Sequence, residues 1–202
     1  MILHEFSLSG NCYKVRLTAA HVGVPLERRE YDIMKGETRT PEFLASVNGN
    51  GRIPVLQDGE RFLAESNAAC FYVAEGSPLI PADRFERADM LHWMFWEQYN
   101  HEPNIATLRF WLDWVGIDRL TDLQRSQMPV KRKLGNEALQ LMDSHLKVRE
   151  WFVGDALSLA DICLFAYTHV ADEADFDLAL YPNVIEWMER IMTQPGHVPL
   201  DA

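Results

Sequence analysis

The sequence predicts an α/β N-terminal domain followed by an all-helical C-terminal domain. In residues 1–76, short apolar stretches of strand length alternate with stretches of helical spacing. Residues 75–81 then contain one glycine and two prolines, which indicates a linker, and we place it at 77–83. Helical spacing of apolar residues continues through residues 84–202, so this second region is predicted to be a helical domain.

Composition narrows the classes of function. The chain has 202 residues, and its apolar content of 48% is enough to fill a core. A net charge of −11 disfavours nucleic acid and anionic membranes as partners, because both require a basic surface. No apolar run reaches the ~18 residues of a membrane span, and residues 1–5 lack a secretory signal. Three cysteines without CxxC or zinc spacing predict reduced thiols in the cytoplasm and no metal site.

The predicted order of elements in the first domain is βαβ, then α, then ββα. The predicted elements are a strand at 2–6, a helix at 12–22, a strand at 26–31, a helix at 41–47, strands at 53–57 and 61–64, and a helix at 66–74. Gly23 and Pro25 stop the first helix, and Asp58-Gly59 is typical of a hairpin turn. This order, a crossover first and a hairpin last, is that of a thioredoxin-like sheet.

The second domain is predicted to be helical throughout. Apolar positions at helical spacing are Met90, Leu91, Met94, Phe95 and Tyr99 in the first helix, and Val130, Leu134, Ala138, Leu141 and Met142 in a later one. Pro103 predicts a kink or break before a helix at 105–115. A capping box at 158–161 opens a helix at 159–170, which is apolar nearly all round and is expected at the domain centre. Pro182 opens a last helix, to about residue 192.

The turn between the first strand and the first helix is the strongest candidate site. Ser7, Ser9 and Asn11 lie where the helix N-terminus presents backbone N–H groups and about half a positive charge. Such a turn suits an anion, and a thiolate is one of the anions that helix N-termini stabilise.

Four motifs together resemble the cytosolic glutathione S-transferases over nearly the whole length. They are the turn from Ser9 to Lys14-Val15-Arg16, the segment Asn48…Gly51-Arg-Ile-Pro-Val-Leu56, the segment Ala64-Glu-Ser-Asn-Ala68, and Trp151-Phe-Val-Gly-Asp…Leu157-Ser-Leu-Ala-Asp-Ile162. The turn is similar to the serine-type turn of bacterial, theta- or nu-like members. The resemblance implies glutathione as co-substrate, a role in detoxification, and a cytoplasmic homodimer.

In the serine-using classes, the activating serine stands six residues before the valine of the helix, and Ser9 matches this position. A free thiol has a pKa of roughly 8.5, so a hydroxyl that donates to sulfur favours the thiolate. Ser7 is the nearby competitor. Asn11 is a helix N-cap or a sulfur contact, the latter by similarity to a bacterial class with disulfide-reductase activity. Cys12 is a less favoured alternative, because it falls inside the helix start.

The resemblance also assigns residues that bind the rest of glutathione. Ile53-Pro54 is similar to the family's cis-proline, which would pair with the cysteinyl backbone. Ser66 is expected to cap its helix and to hold the γ-glutamyl carboxylate, with Glu65 facing the ammonium group. Arg39 matches the residue that meets the glycyl carboxylate, and Lys35 is its rival.

In this family the helical domain lines the site of a small apolar electrophile. The candidates in this sequence are Trp96, Tyr99, Arg109 and Trp111. An aromatic residue at helical spacing is more often part of the core, so we expect only one or two of these to contact a substrate. Asp161 matches a structural capping residue and is assigned to folding.

Three hypotheses of function follow. The first is a transferase in which Ser9 stabilises the glutathione thiolate. The second keeps the site and changes the chemistry to reduction of a disulfide or peroxide, as Asn11 suggests. The third is a non-catalytic binding or scaffold protein that has the same fold and only a relic of the glutathione site.

Overall fold

A computed structural model describes residues 1–202 and divides them into two compact units. The first unit comprises Met1–Ile80 together with Gln194–Ala202, and the second comprises Pro81–Thr193. The predicted helical domain of 84–202 therefore differs from the structure at its C-terminal end, because Gln194–Ala202 packs with the first unit. We call these nine residues the returning segment.

The first unit contains the predicted thioredoxin-like arrangement. A four-stranded sheet has the order β2-β1-β3-β4, in which β1 is parallel to β2 and the other pairs are antiparallel. The strands are β1 (Ile2–Glu5), β2 (Glu27–Glu30), β3 (Val55–Asp58) and β4 (Arg61–Ala64), and the helices are α1 (Gly10–Val22), α2 (Pro41–Ser46) and α3 (Ser66–Val73). Helix α1 ends at Gly23, whose φ of 69° is left-handed and so favours glycine.

Register brings three chain segments to one end of this sheet. His4 of β1 is opposite Val55 of β3, and Val55 is opposite Ala64 of β4. The turn that follows β1, the Ile53–Pro54 bond that precedes β3 and Glu65, which follows β4, therefore lie at the same edge. These are the segments to which the sequence motifs assign the glutathione site.

The second unit is helical. Its helices are α4 (Arg84–Trp96), α5 (Glu102–Arg109), α6 (Asp122–Leu146), α7 (Leu159–Thr168) and α8 (Pro182–Met192). All residues of α7 are buried, which confirms the predicted central helix. Each fully buried large aliphatic or aromatic side chain contributes ~1.5–3 kcal/mol of stability. No helix combines the length and the hydrophobicity that a membrane span requires.

Two predicted apolar faces are wrong in part. Phe95 is 71% exposed and Tyr99 is 84% exposed, while Trp93 is buried on the inward face of α4. In α6, Val130, Leu134 and Leu141 are exposed, and the buried positions are Gly135, Ala138, Leu139, Met142, Asp143 and Leu146. The spacing identified helices correctly, but several apolar stripes were available, and packing selected which of them is buried.

The predicted interruption at Pro103 takes the form of a π-helical turn. This turn, Glu97–His101, joins α4 to α5, and Pro103 lies in the first turn of α5. Proline lacks an N–H group, so it fits the start of a helix, where that group would have no helical partner. The chain thus changes its helical geometry here without leaving the helical path.

Candidate functional site

Ser9 is the N-cap of α1. Its backbone is extended, with φ −75° and ψ 123°, and its Oγ accepts a 3.4 Å hydrogen bond from the N–H of Cys12. The N–H of Ser9 donates to the carbonyl of Phe6 at 2.9 Å and closes the turn. A hydroxyl has one donor and two acceptor positions, so accepting from Cys12 leaves its O–H able to donate to a ligand.

Asn11 lies in the first turn of α1 and is not its N-cap, which was one of its two predicted roles. Ser9 takes that place because its side chain reaches the N–H three residues ahead. Asn11 instead accepts a 3.0 Å hydrogen bond at Oδ1 from the hydroxyl of Ser66. This bond connects the starts of α1 and α3.

The predicted N-cap role of Ser66 is also wrong. The N-cap of α3 is Glu65, whose side chain makes no capping bond, and Ser66 is the first helical residue. Glu65 has φ 71° and ψ 114°, a left-handed backbone that is rare for a residue with a side chain. Such strain is found at functional sites, where it is part of how a site is shaped.

The peptide bond between Ile53 and Pro54 is cis, as predicted from the motif. Pro54 is buried, and Ile53 is partly exposed at the edge shared with the Ser9 turn. Arg39 is exposed, and its Nη1 donates to the carbonyl of Asn50 at 2.9 Å. Its rival Lys35 forms a 2.9 Å ion pair with Asp32 on an exposed surface.

The two competitors of Ser9 have other partners. Cys12 is fully buried, its Sγ accepts from the N–H of Phe6 at 3.5 Å, and burial raises the pKa of its thiol to about 12. It is therefore protonated at neutral pH and unsuited to act as a nucleophile. Ser7 donates to Oε1 of Glu30 through its N–H at 2.7 Å and its hydroxyl at 3.0 Å.

Sequence reasoning assigned no role to two cations of α1, Lys14 and Arg16. Lys14 is fully buried, and its Nζ donates to Oδ1 of Asn67 at 3.3 Å, which joins α1 to α3. Arg16 is 8% exposed and forms a 3.3 Å ion pair with Glu5 of β1. Two basic residues within the apolar segment of α1 were the available signal, because a buried charge requires a partner.

The electrophile-site candidates differ in environment within the helical unit. Trp96 is partly exposed and Tyr99 is highly exposed. Arg109 is buried, forms an ion pair with Glu173 and lies 5.4 Å from the ring centroid of Trp114. Trp111 is 7% exposed, and the Nζ of Lys131 lies 5.7 Å from its ring centroid.

Asp161 is a structural centre of the helical unit. It is fully buried and accepts hydrogen bonds from the N–H of Phe152, the N–H and hydroxyl of Ser158, and the indole of Trp187, at 2.8–3.0 Å. These bonds include the predicted capping box at the start of α7. No group of three or more His, Cys, Asp or Glu side chains is arranged to hold a metal ion.

Both units of the chain match the same family of known proteins. The pattern of the glutathione S-transferase N-terminal domain matches residues 1–75, and that of the C-terminal domain matches residues 118–195. A crystal structure described as a possible glutathione S-transferase from Rhodopseudomonas palustris superposes with a TM-score of 0.94 at 44% identity. It covers 100% of this chain and 90% of that one.

Curated relatives support the same assignment. Glutathione S-transferase F14 of Arabidopsis thaliana is 31% identical over 184 residues, which are 86% of this chain and 72% of the relative. The disulfide-bond oxidoreductase YfcG of Escherichia coli is 28% identical over 97% of this chain and 92% of its own length. With both domain patterns and the architecture in agreement, the chain belongs to the glutathione S-transferase family.

Proposed function

We propose that this protein is a serine-type, theta- or nu-like glutathione transferase that binds glutathione in its first unit and activates the thiol with Ser9. The observation that carries the proposal is the position of Ser9, whose hydroxyl caps α1 at the edge where the three motif segments meet. Lowering the thiol pKa by one unit requires ~1.4 kcal/mol, which one hydrogen bond to a charged group supplies. The N-terminal dipole of α1 adds to this effect.

In the proposed complex, the tripeptide extends along the sheet edge. The cysteinyl backbone pairs with Ile53, next to the cis bond to Pro54, as an added strand. The γ-glutamyl carboxylate meets the N-terminus of α3 at Ser66, and its ammonium group meets Glu65. The glycyl carboxylate meets Arg39, whose exposed guanidinium is held by the loop at Asn50.

For the electrophile, we retain Trp96 and Tyr99 as the candidates in the helical unit. Both present aromatic surface to solvent, whereas Arg109 and Trp111 are buried by contacts with their own unit. Small apolar electrophiles suit aromatic surfaces, because contact removes apolar area of both from water. The proposed substrate class is therefore a small apolar electrophile, attacked by the thiolate at an electron-poor carbon.

We further propose a cytoplasmic homodimer. Three buried cysteines that form no disulfide fit a reducing compartment. Large aromatic side chains at Phe85 and Phe95 are exposed by 71% or more, which supports burial against a second copy. Sedimentation at micromolar concentration tests the assembly, and a monomeric mass would contradict it.

A second candidate function is glutathione-dependent disulfide or peroxide reduction. Asn11 favours it, because an amide NH₂ at a helix start is a donor suited to sulfur, and YfcG shows that a relative of similar length is a disulfide-bond oxidoreductase. Conjugation of a chloronitroarene compared with reduction of a small disulfide separates the two activities. If the protein has neither activity and is not retained on immobilised glutathione, both enzymatic proposals fail and the non-catalytic binding or scaffold protein remains.

The decisive measurement is the thiolate absorbance of bound glutathione as a function of pH. Ser9→Ala is expected to return the thiol pKa toward ~8.5 and to lower kcat/KM at pH 6.5 about tenfold for each pH unit by which that pKa rises. Ser9→Thr keeps a hydroxyl and is expected to restore activation. Ser7→Ala is the matched control in the same turn. An unchanged pKa in Ser9→Ala would reject Ser9 as the activating residue.

A further inference from the structure

The returning segment lies along α1 and is bonded to it. Gly196 has φ 90°, and a Cβ placed on it would be 2.9 Å from Cα of His21, so the backbones touch there. The hydroxyl of Tyr13 donates to the carbonyl of Val198 at 2.7 Å. Nη2 of Arg16 donates to the carbonyl of Leu200 at 2.7 Å. The segment is thus held against the helix at three points.

Arg16 makes a second connection with the same nitrogen. Its Nη2 also donates to the carbonyl of Ser7 at 2.7 Å, and its Nη1 donates to the backbone oxygen of Ala202 at 3.3 Å. Ser7 stands two residues before Ser9, in the turn that holds the proposed activating hydroxyl. One guanidinium therefore joins this turn to the returning segment.

Glu5 of β1 fixes the orientation of the Arg16 guanidinium. This carboxylate is fully buried, forms the ion pair with Nε of Arg16 and forms a second with Arg28 of β2. The ring of Tyr13 lies 5.7 Å from the guanidinium carbon. A planar guanidinium with fixed donors is suited to such an arrangement, because it reaches acceptors in several directions at once.

We propose that Arg16 is a positioning residue for thiol activation, because it fixes the turn carbonyl of Ser7 against Glu5 and the returning segment. Arg16 acts through the turn and has no contact with sulfur in this proposal. Its effect is to keep the Ser9 hydroxyl at the place from which it donates. This inference rests on the proposed function of Ser9.

Arg16→Lys tests the proposal, since an ammonium group keeps the charge beside Glu5, but its nitrogen lies one covalent bond nearer the backbone than Nη2 and so loses the bonds to the carbonyls of Ser7 and Leu200. The pKa of the bound thiol is expected to rise by about one unit. At pH values below this pKa, the thiolate fraction then falls about tenfold. Arg28→Lys is the matched control. It changes the other cation that contacts both Glu5 and the backbone oxygen of Ala202, but Arg28 has no bond to the carbonyl of Ser7, so the thiol pKa is expected to stay unchanged.

Tyr13→Phe is the second variant, because it removes only the hydroxyl that holds Val198. It is expected to raise the thiol pKa by less than Arg16→Lys, because the bonds of Arg16 itself remain. If Arg16→Lys does not fold, Arg16→Gln, whose amide cannot reach the carbonyl of Ser7, takes its place in the same measurement. Amide exchange at Ser9 and Cys12 in the ligand-free protein is expected to become faster in both variants.

The outcomes separate the two proposals. If the wild-type protein lowers the thiol pKa but the variants match it, with only a lower melting temperature, Arg16 is purely structural and this inference is overturned. If the wild-type protein does not lower the thiol pKa at all, the proposed function fails and this inference fails with it.

Discussion

The hydroxyl of Ser66 donates a 3.0 Å hydrogen bond to Oδ1 of Asn11, a residue 55 positions away in the sequence. The bond joins the first residue of α3 to the first turn of α1, so two helix N-termini meet at one edge of the sheet. Both termini carry partial positive charge, which favours the thiolate and the carboxylate of a single ligand. Glutathione has both groups.

The pair itself is expected to be measurable by a double-mutant cycle. Ser66→Ala and Asn11→Ala should each weaken glutathione binding, and the double variant should lose less than the sum, with a coupling of ~1 kcal/mol. Titration calorimetry with glutathione gives the required affinities. Ser46→Ala, at an exposed serine of α2, is the control. Strictly additive losses would show that the two residues act independently on the ligand.

Gly51 is expected to control the position of Arg39. Its φ is 61°, and an added Cβ would lie 2.6 Å from Nη1 of Arg39 and 2.9 Å from the carbonyl of Thr38. Gly51→Ala should therefore displace Arg39 and raise the KM for glutathione about tenfold, the effect of losing ~1.4 kcal/mol. Gly59→Ala has the same left-handed backbone strain, at φ 62°, but has no atom within 4 Å of the new Cβ.

Steady-state kinetics on both glycine variants separates strain from displacement. Gly59→Ala is expected to lower the melting temperature and leave the KM unchanged. Equal values of KM in the two variants would mean that Arg39 does not contact the glycyl carboxylate.

Cys12 is expected to make unfolding easier at high pH. Burial raises its pKa from 9.0 to about 12, so the native protein keeps a proton that the unfolded chain releases. The stabilisation is complete below pH 9 and is lost as the pH rises toward about 12, by up to about 1.4 kcal/mol per pH unit. Urea unfolding at about pH 8 and about pH 10 measures the slope, which should be smaller in Cys12→Ala.

The same residue should be inert while the protein is folded. Iodoacetamide at about pH 8 is expected to modify Cys12 only after unfolding, because the thiol is buried and protonated. Rapid alkylation of the native protein, or identical pH slopes in wild type and Cys12→Ala, would contradict the assignment of Cys12 as a buried, protonated thiol.

Asp161→Asn is expected to destabilise the helical unit without affecting thiol activation. Oδ1 and Oδ2 each accept two hydrogen bonds, and an amide NH₂ in place of either oxygen would face two donors. The cost is ~3 kcal/mol, which lowers the melting temperature by roughly 10 °C in a chain of this size. Calorimetry measures this, and exposed Asp155→Asn is the control. A melting temperature equal to that of wild type would show that these bonds contribute little.

Local patterns determined the order of the elements and several of their boundaries. Gly23 ends α1, and the capping box at Ser158 and Asp161 starts α7. Each of these features depends on residues within about four positions of each other, so the sequence alone is enough to identify them. Resemblance to the family added the cis bond at Ile53–Pro54 and the prediction of a glutathione site at the sheet edge.

Only the tertiary structure decided which polar groups meet. Asn11 and Ser66 both looked like N-caps, but packing of α1 against α3 made them partners of each other. The bond from Arg16 to Leu200 spans 184 residues, and no sequence spacing encodes it. Packing likewise chose the buried faces of α4 and α6. The physical reason is that helix formation and capping are local, whereas burial depends on what the rest of the chain places opposite each side chain.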